Sequence, residues 1–120
     1  MMSKGNPGRG WKWMLWGAAA YNWLVSLPVL IDGQLAAEAK ISAVLVAGFG
    51  LLYALVARDP VRLAPALWAG VAGKLGLVVL LAPSVASGTA APGTGPVLAG
   101  DLVFTAAFLA LLLGPARGGR

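Results

Sequence analysis

The chain has 120 residues, of which 59% are hydrophobic and 11% are charged. Soluble domains carry about 45–50% apolar and about 25% charged residues, so too few polar residues remain here to cover a water-facing surface. The composition therefore excludes an ordinary soluble protein and places the chain in a lipid bilayer. Nine Lys and Arg against four Asp and Glu give a net charge of +5, and its meaning depends on where the cations lie relative to the membrane.

Cysteine and histidine do not occur in the sequence. Their absence excludes disulfides, thiol nucleophiles, Ser-His-Asp catalysis, and thiolate or imidazole ligation of a metal or haem. Gly48-Phe49-Gly50 lies inside an apolar run and lacks the third glycine of a dinucleotide-binding motif. We therefore expect that the protein is not an enzyme and carries no cofactor or metal.

Four apolar windows approach the length of about 20 residues that a helix needs to cross a bilayer. They predict an all-α integral membrane protein, folded as a four-helix transmembrane bundle. A basic segment, 1–12, precedes the transmembrane domain, 13–114, and a basic tail, 115–120, follows it. The spans are predicted at about 13–31, 41–57, 64–82 and 97–114.

Proline, glycine and charged residues mark the ends of these spans. The first span is expected to stop at Asp32-Gly33-Gln34, and the second at Arg58-Asp59-Pro60. Pro83 is expected to end the third span. The uncharged segment 83–96, rich in Gly, Ala, Ser, Thr and Pro, is then predicted to be an extended loop.

Asp59 is expected to cap a new helix turn, with Pro60 at the first helical position, where its missing N–H has no helical partner to lose. Arg58 and Arg62 would then face the membrane interface at the lipid headgroups. This pattern favours a structural turn, and the alternative is a contact with a partner protein or with a lipid phosphate.

The cations are distributed unevenly between the two predicted sides of the membrane. Seven lie on one side, Lys40 lies on the other, and Lys74 lies within a span, so the positive-inside rule places both termini in the cytoplasm. The scattered cations form no compact patch, which excludes nucleic acid as a partner. The seven are Lys4, Arg9, Lys12, Arg58, Arg62, Arg117 and Arg120. The aromatic residues predicted at the same interface are Trp11, Trp13, Trp16, Tyr53 and Trp68.

A cleaved secretory signal peptide is the alternative to the first span, because Ala37-Glu38-Ala39 resembles a small-residue cleavage site. The apolar run is longer than the roughly 7–15 residues of a signal core. The polar Asp32-Gly33-Gln34 also separates the run from that site. The pattern therefore favours an uncleaved span.

Small residues recur at helical spacing in the second and third spans. Such residues let membrane helices approach closely where lipid provides no hydrophobic drive for their association. Packing within the bundle is favoured, and the alternative is a face that binds a second copy of the chain. The candidate packing residues are Ala47, Gly50 and Ala54 in span two, and Gly70, Gly73 and Gly76 in span three.

Lys74 lies near the middle of the third span, where a charged lysine is costly and usually faces a partner or water. Asn22 lies at a similar depth in span one, and Asp101 lies near the outer end of span four. We predict a buried polar cluster of these three residues, extended by Ser26 and Thr105. The cluster could fix helix register or have a function. In the remaining alternative, Lys74 snorkels to the interface and Asp101 caps its helix.

Several of these residues together resemble the pattern of small bacterial four-span membrane proteins. In that group the second arginine is often followed by a histidine, and Leu63 stands there in this chain. The resemblance implies a four-span protein of the bacterial inner membrane, and it implies no activity. The matching residues are Tyr21-Asn22, Arg58-Asp59-Pro60 with Arg62, Gly73-Lys74, and Gly100-Asp101 with Phe104.

Three functions are compatible with these features. A small bundle with little mass outside the bilayer favours an accessory subunit, in contact with lipid and with other membrane subunits or a second copy. The alternative is a small, oligomeric transporter or channel that uses the cluster around Lys74. A third possibility is an enzyme or a protein that binds a quinone, pigment or lipid, which no residue spacing singles out.

Overall fold

The computed structural model describes residues 8–118, which form helices joined by short turns. Four of these helical segments are long and apolar enough to cross a membrane, which confirms the predicted all-α, four-span fold. Lys4 and Arg120 lie outside the described residues. The elements are α1 (Gly8–Ile31), α2 (Ala37–Val56), α3 (Pro60–Leu63), a 3₁₀ turn (Ala64–Ala66), α4 (Leu67–Ser87), α5 (Thr94–Leu113) and α6 (Pro115–Gly118).

The bundle consists of two helical hairpins. Helix α1 packs along α2, and α4 packs along α5, whereas α2 and α4 touch much less. The short helix α3 contacts both α1 and α6, so the connection between the hairpins lies at the same end as the beginning of α1 and the end of α5. We call this the inner end, and the end with the two hairpin loops the outer end. The membrane side that each end faces stays a prediction.

The apolar core lies in the inner half of the bundle. Tyr53 and Phe108 are its largest fully buried side chains, and their ring centroids are 4.8 Å apart. Leu15 and Leu67 are also fully buried beside them. In the outer half, side chains such as Leu80 on α4 are exposed on the surface that lipid would cover. The bundle is therefore tightly packed toward its inner end and more open toward its outer end.

The expectation that Pro83 ends the third span is wrong, because α4 continues to Ser87. A proline in a helix removes one backbone N–H bond, and the rest of the helix continues past it. The helix ends instead at Gly88, whose φ of +79° is the left-handed conformation that glycine adopts readily. The backbone N–H groups of Thr89 and Ala90 donate to the Ser84 carbonyl and close the end of the helix.

The predicted long loop is correspondingly reduced. Helix α5 begins at Thr94, so only 88–93 connect it to α4. Pro96 lies in the first turn of α5, where its missing N–H breaks no helical bond. At the other outer loop, α2 begins at Ala37, and Glu38 lies in its first turn, where a negative charge is favourable. Helix α1 likewise includes 8–12 of the segment that the sequence assigned to a separate basic region.

The turn before the third span differs in one bond from the expectation. Asp59 does occupy the N-cap position with Pro60 directly after it, but its side chain makes no capping bond. The carboxylate instead accepts a hydrogen bond from Arg62 Nε at 2.9 Å. Arg58 and Arg62 are both exposed at the inner end. Pro65 lies in the 3₁₀ turn, so the third span begins with an irregular segment.

Candidate functional site

Lys74 lies in the middle of the bundle and joins three helices through its ammonium group. The residue is 5% exposed. Its Nζ donates a hydrogen bond to Asp101 Oδ1 on α5 at 2.8 Å and another to Asn22 Oδ1 on α1 at 3.2 Å. Lys74 therefore does not snorkel, and its charge is compensated inside the protein by the carboxylate.

Aromatic rings surround the same ammonium group. Nζ of Lys74 is 5.2 Å from the ring centroid of Tyr21, 5.5 Å from that of Tyr53 and 5.9 Å from that of Phe104. Ring faces attract a cation at such distances, and more strongly where water is excluded. The rings therefore add to the stabilisation that the two oxygen acceptors provide.

Asn22 is held in place by the helix opposite. Its Nδ2 donates to the Val46 carbonyl at 3.0 Å, and the neighbouring Trp23 Nε1 donates to the Ala47 carbonyl at 3.2 Å. These two bonds attach α1 to successive carbonyls of α2. Because the amide nitrogen of Asn22 is engaged in this way, its oxygen faces Lys74.

The other two residues predicted for the cluster do not bond to it through side chains. Thr105 Oγ1 donates to the Asp101 backbone carbonyl at 2.7 Å, one turn back along α5. Ser26 Oγ is buried and has no hydrogen-bond partner among the described residues. The structure thus brings Asn22, Lys74 and Asp101 together and leaves Ser26 and Thr105 outside their hydrogen-bond network.

A cavity of about 250 Å³ lies against the cluster. Its walls are mostly apolar, and Tyr53 and Gly70 lie at its inner limit, next to the packed core. Its exposed lining residues lie on α2 and α4, two helices that touch little, and we therefore place the opening between them. The lining residues are Tyr21, Asn22, Val25, Ser42, Leu45, Val46, Phe49, Tyr53, Gly70, Gly73, Lys74, Leu77, Val97 and Asp101.

Tyr21 and Tyr53 belong to this site, and their role was not predicted from the sequence. The Tyr21 hydroxyl donates to the Val97 carbonyl, and its ring lies against Gly100, where a Cβ would come closer than 3 Å. Tyr53 was predicted at the membrane interface, but it is 1% exposed and lies beside Lys74. The sequence offers a signal for Tyr21 in two adjacent pairs of residues. Tyr21 directly precedes the cluster residue Asn22, and Gly100, against which the Tyr21 ring packs, directly precedes the cluster residue Asp101.

Two of the small residues predicted for helix packing make room for aromatic side chains. A Cβ on Gly50 would lie 2.6 Å from Trp23 Nε1, and a Cβ on Gly70 would lie 2.8 Å from the Tyr53 ring. At Gly70 the contact is between the helix backbone and a ring, whereas a Cβ on Gly50 would also lie 3.2 Å from the Ala19 carbonyl oxygen of α1.

The remaining candidates for helix packing differ in their surroundings. Ala54 is buried in the core, and Ala47 is half-buried where its carbonyl accepts the bond from Trp23. Gly73 is exposed on the rim of the cavity, and a Cβ on Gly76 would have nothing within 4 Å. The stripe on α4 is thus only partly a packing surface within this chain.

No protein-family model, curated protein or solved structure matches the chain. The resemblance to small bacterial four-span membrane proteins stays a prediction based on the short motifs. The site combines a buried ion pair, three aromatic rings around the ammonium group and a mostly apolar cavity.

Proposed function

We propose that the protein binds a small molecule within the bilayer, in the cavity beside Lys74 and Asp101. The supporting observation is that a buried ion pair borders an apolar cavity of about 250 Å³. Ionisable residues inside a membrane are costly and commonly mark a ligand or ion site. Apolar cavities with a few convergent polar groups are the usual form of small-molecule sites. The proposed role is binding and not catalysis.

Filling the cavity tests this function. Gly73 lies on the cavity wall, and a Cβ there would meet Phe49 at an ordinary 3.7 Å, so Gly73→Leu is expected to fold and to occupy the cavity. Gly76→Leu, one turn along the same helix and outside the cavity, is the matched control. The measurement is mass spectrometry of solvent extracts from the purified proteins.

The wild-type protein and Gly76→Leu should retain a small molecule in roughly stoichiometric amounts, and Gly73→Leu should lose it. Extracts of the same composition from all three proteins, containing bulk lipid only, would contradict the proposed function. Elution of each variant as a single species in detergent shows that the fold is intact.

Transport of the bound molecule is a second candidate function, favoured by the asymmetry of the bundle. The cavity lies outward of the Tyr53–Phe108 core, and this core closes the inner half of the bundle. A closed inner half is expected for a single state of an alternating-access transporter, and it disfavours an open channel. Proteoliposome swelling in glycerol, urea or potassium acetate tests this candidate. Flux that Lys74→Ala and Asp101→Asn leave unchanged would exclude the cluster from transport.

The accessory-subunit role is also a proposal, and it predicts a partner on the lipid-facing surface. Exposed apolar side chains cover α2 and α4, but contact with lipid explains them equally well. Purification in mild detergent distinguishes the two, because an accessory subunit should elute with a larger membrane complex. A homogeneous species that contains only this chain would contradict that role.

A further inference from the structure

We propose that the ligand is an electrically neutral, lipid-soluble molecule with a hydroxyl group, which enters the cavity sideways between α2 and α4. This inference rests on the proposed binding function and names the chemical class of the ligand. Three features carry it. They are the charge balance of the site, an unused carboxylate oxygen, and the position of the opening.

The charge balance of the site favours a neutral ligand. Lys74 and Asp101 form one ion pair, and among the described residues the only other ionisable side chains that line the cavity are the two tyrosines. A ligand with a net charge would bring an uncompensated charge into a region of low dielectric constant, unless it displaced one member of the pair. Either event is costly, whereas a neutral ligand leaves the pair intact.

The hydrogen-bonding capacity of the site favours a hydroxyl group on the ligand. Only Oδ1 of Asp101 accepts a hydrogen bond, and no bond reaches Oδ2 from the described residues. Asp101 lines the cavity and its side chain is 6% exposed, so Oδ2 is the carboxylate oxygen left for a ligand there. An ionised carboxylate only accepts hydrogen bonds, so the ligand must supply a donor.

A hydroxyl is a donor that satisfies the charge balance, and its oxygen can also accept a hydrogen bond, which the nitrogen of a neutral amide or indole N–H does not do. An aliphatic amine would be protonated next to Asp101 and would bring a positive charge, whereas a hydroxyl donates without a charge. Tyr53 lines the inner limit of the cavity, and its hydroxyl can pair with the oxygen of the ligand's hydroxyl, since a phenol both donates and accepts. One hydroxyl group on the ligand can therefore use both protein groups.

The position of the opening indicates a ligand that reaches the site through the lipid. The rim is formed by Ser42 and Leu45 on α2 and by Gly73 and Leu77 on α4, all of them exposed. Leu45 is 61% exposed on the face of the bundle that acyl chains would cover. An apolar body can therefore lie between the two helices while its hydroxyl group reaches Asp101.

Four probes of equal chain length test this class: 1-dodecanol, dodecane, dodecanoate and dodecyltrimethylammonium. Each is titrated over the same range of membrane concentrations into the protein in nanodiscs, and the shift in Tm is measured at each concentration. We expect 1-dodecanol to raise Tm in the wild-type protein and in Gly76→Leu. The shift should be absent in Gly73→Leu, and the apparent affinity should fall about fivefold in Tyr53→Phe because one hydrogen bond is lost.

The four probes separate failure of the inference from failure of the proposed function. A larger shift with dodecanoate or dodecyltrimethylammonium, abolished by Gly73→Leu, would overturn the neutral class while supporting a ligand site in the cavity. An equal shift with dodecane would overturn the role of the hydroxyl group. Shifts that are identical in wild type and Gly73→Leu would overturn the inference, and unchanged solvent extracts would then overturn the binding function as well. If Gly73→Leu does not fold, Ser42→Leu on the opposite rim takes its place.

Discussion

At the scale of single residues, Lys74 determines the energetics of the site. Its ammonium is removed from water and depends on the oxygens of Asp101 and Asn22 and on the surrounding rings. Removing one partner of a buried pair leaves an uncompensated charge, whereas replacing both by apolar residues removes the desolvation cost together with the attraction. The two partners are therefore expected to behave as a unit.

This coupling gives a quantitative prediction. Lys74→Met and Asp101→Leu should each lower the free energy of unfolding, by about 3–5 kcal/mol, because each leaves one buried charge unpaired. The double variant should be more stable than either single variant. The measurement is a double-mutant cycle from unfolding curves in mixed detergent micelles. Additive losses would indicate that Lys74 and Asp101 act independently and would contradict the pairing.

The sequence predicts part of this site because depth in the membrane can be counted along a helix. That counting matched Asn22 to Lys74 across two helices. The direction in which a side chain leaves its helix cannot be obtained by counting residues. The sequence did not show that Tyr53 turns from the interface into the core, or that the Thr105 hydroxyl bonds to its own helix, because both depend on helix rotation and rotamer.

At the scale of the helices, two glycines on α4 have opposite surroundings although they lie on neighbouring turns. A Cβ on Gly70 would overlap the ring of Tyr53, which is 1% exposed and packs on Phe108, so the ring cannot move aside. A Cβ on Gly76 would meet nothing within 4 Å. The spacing of small residues predicts a packing role for both glycines, and only the contacts with the neighbouring helix distinguish them.

Alanine substitution should therefore separate the two positions. Gly70→Ala should lower Tm by several degrees, because the new methyl group pushes α4 away from Tyr53 and loosens the contact between the hairpins. Gly76→Ala should leave Tm unchanged or slightly higher, since alanine favours a helix over glycine. Thermal unfolding in a mild detergent measures both. Equal effects of the two substitutions would show that the Tyr53 ring does not pack against Gly70.

The outer end of α4 gives a second prediction at this scale. Gly88 has a φ of +79°, and the bonds from Thr89 and Ala90 to Ser84 depend on that conformation. Gly88→Ala should lower the free energy of unfolding by about 1 kcal/mol, because a side chain is strained there. Gly33→Ala is the control, since Gly33 has open space and does not have a positive φ. Similar effects of both changes would contradict the left-handed helix end.

Helix boundaries were less predictable than the existence of the helices. The four apolar windows were long enough to identify every span, because a bilayer requires that length. Pro83 was misleading because a proline near the end of a helix removes one bond without stopping the helix, whereas Gly88 supplies the conformation that ends it. Apolar content locates a span, and backbone conformation fixes its end.

At the scale of the whole molecule, the two ends of the bundle differ in charge. The inner end carries Arg9, Lys12, Arg58 and Arg62 among its described side chains, against Asp59. The outer loops carry Lys40 with two acidic residues, Asp32 and Glu38. An excess of cations is retained on the cytoplasmic side during insertion. This asymmetry predicts that the inner end, and with it both termini, faces the cytoplasm.

Cysteine labelling tests this orientation, and the chain contains no cysteine of its own. Gln34→Cys places a thiol in the exposed outer loop between α1 and α2, and a cysteine added after Arg120 marks the C-terminus. In intact spheroplasts, a membrane-impermeant maleimide should label Gln34→Cys, and it should reach the C-terminal thiol only after permeabilisation. Because the α4–α5 loop lies at the same outer end, Ala91→Cys should label like Gln34→Cys. The opposite pattern would invert the orientation, and the cavity, which lies toward the outer half, would then open toward the cytoplasmic leaflet.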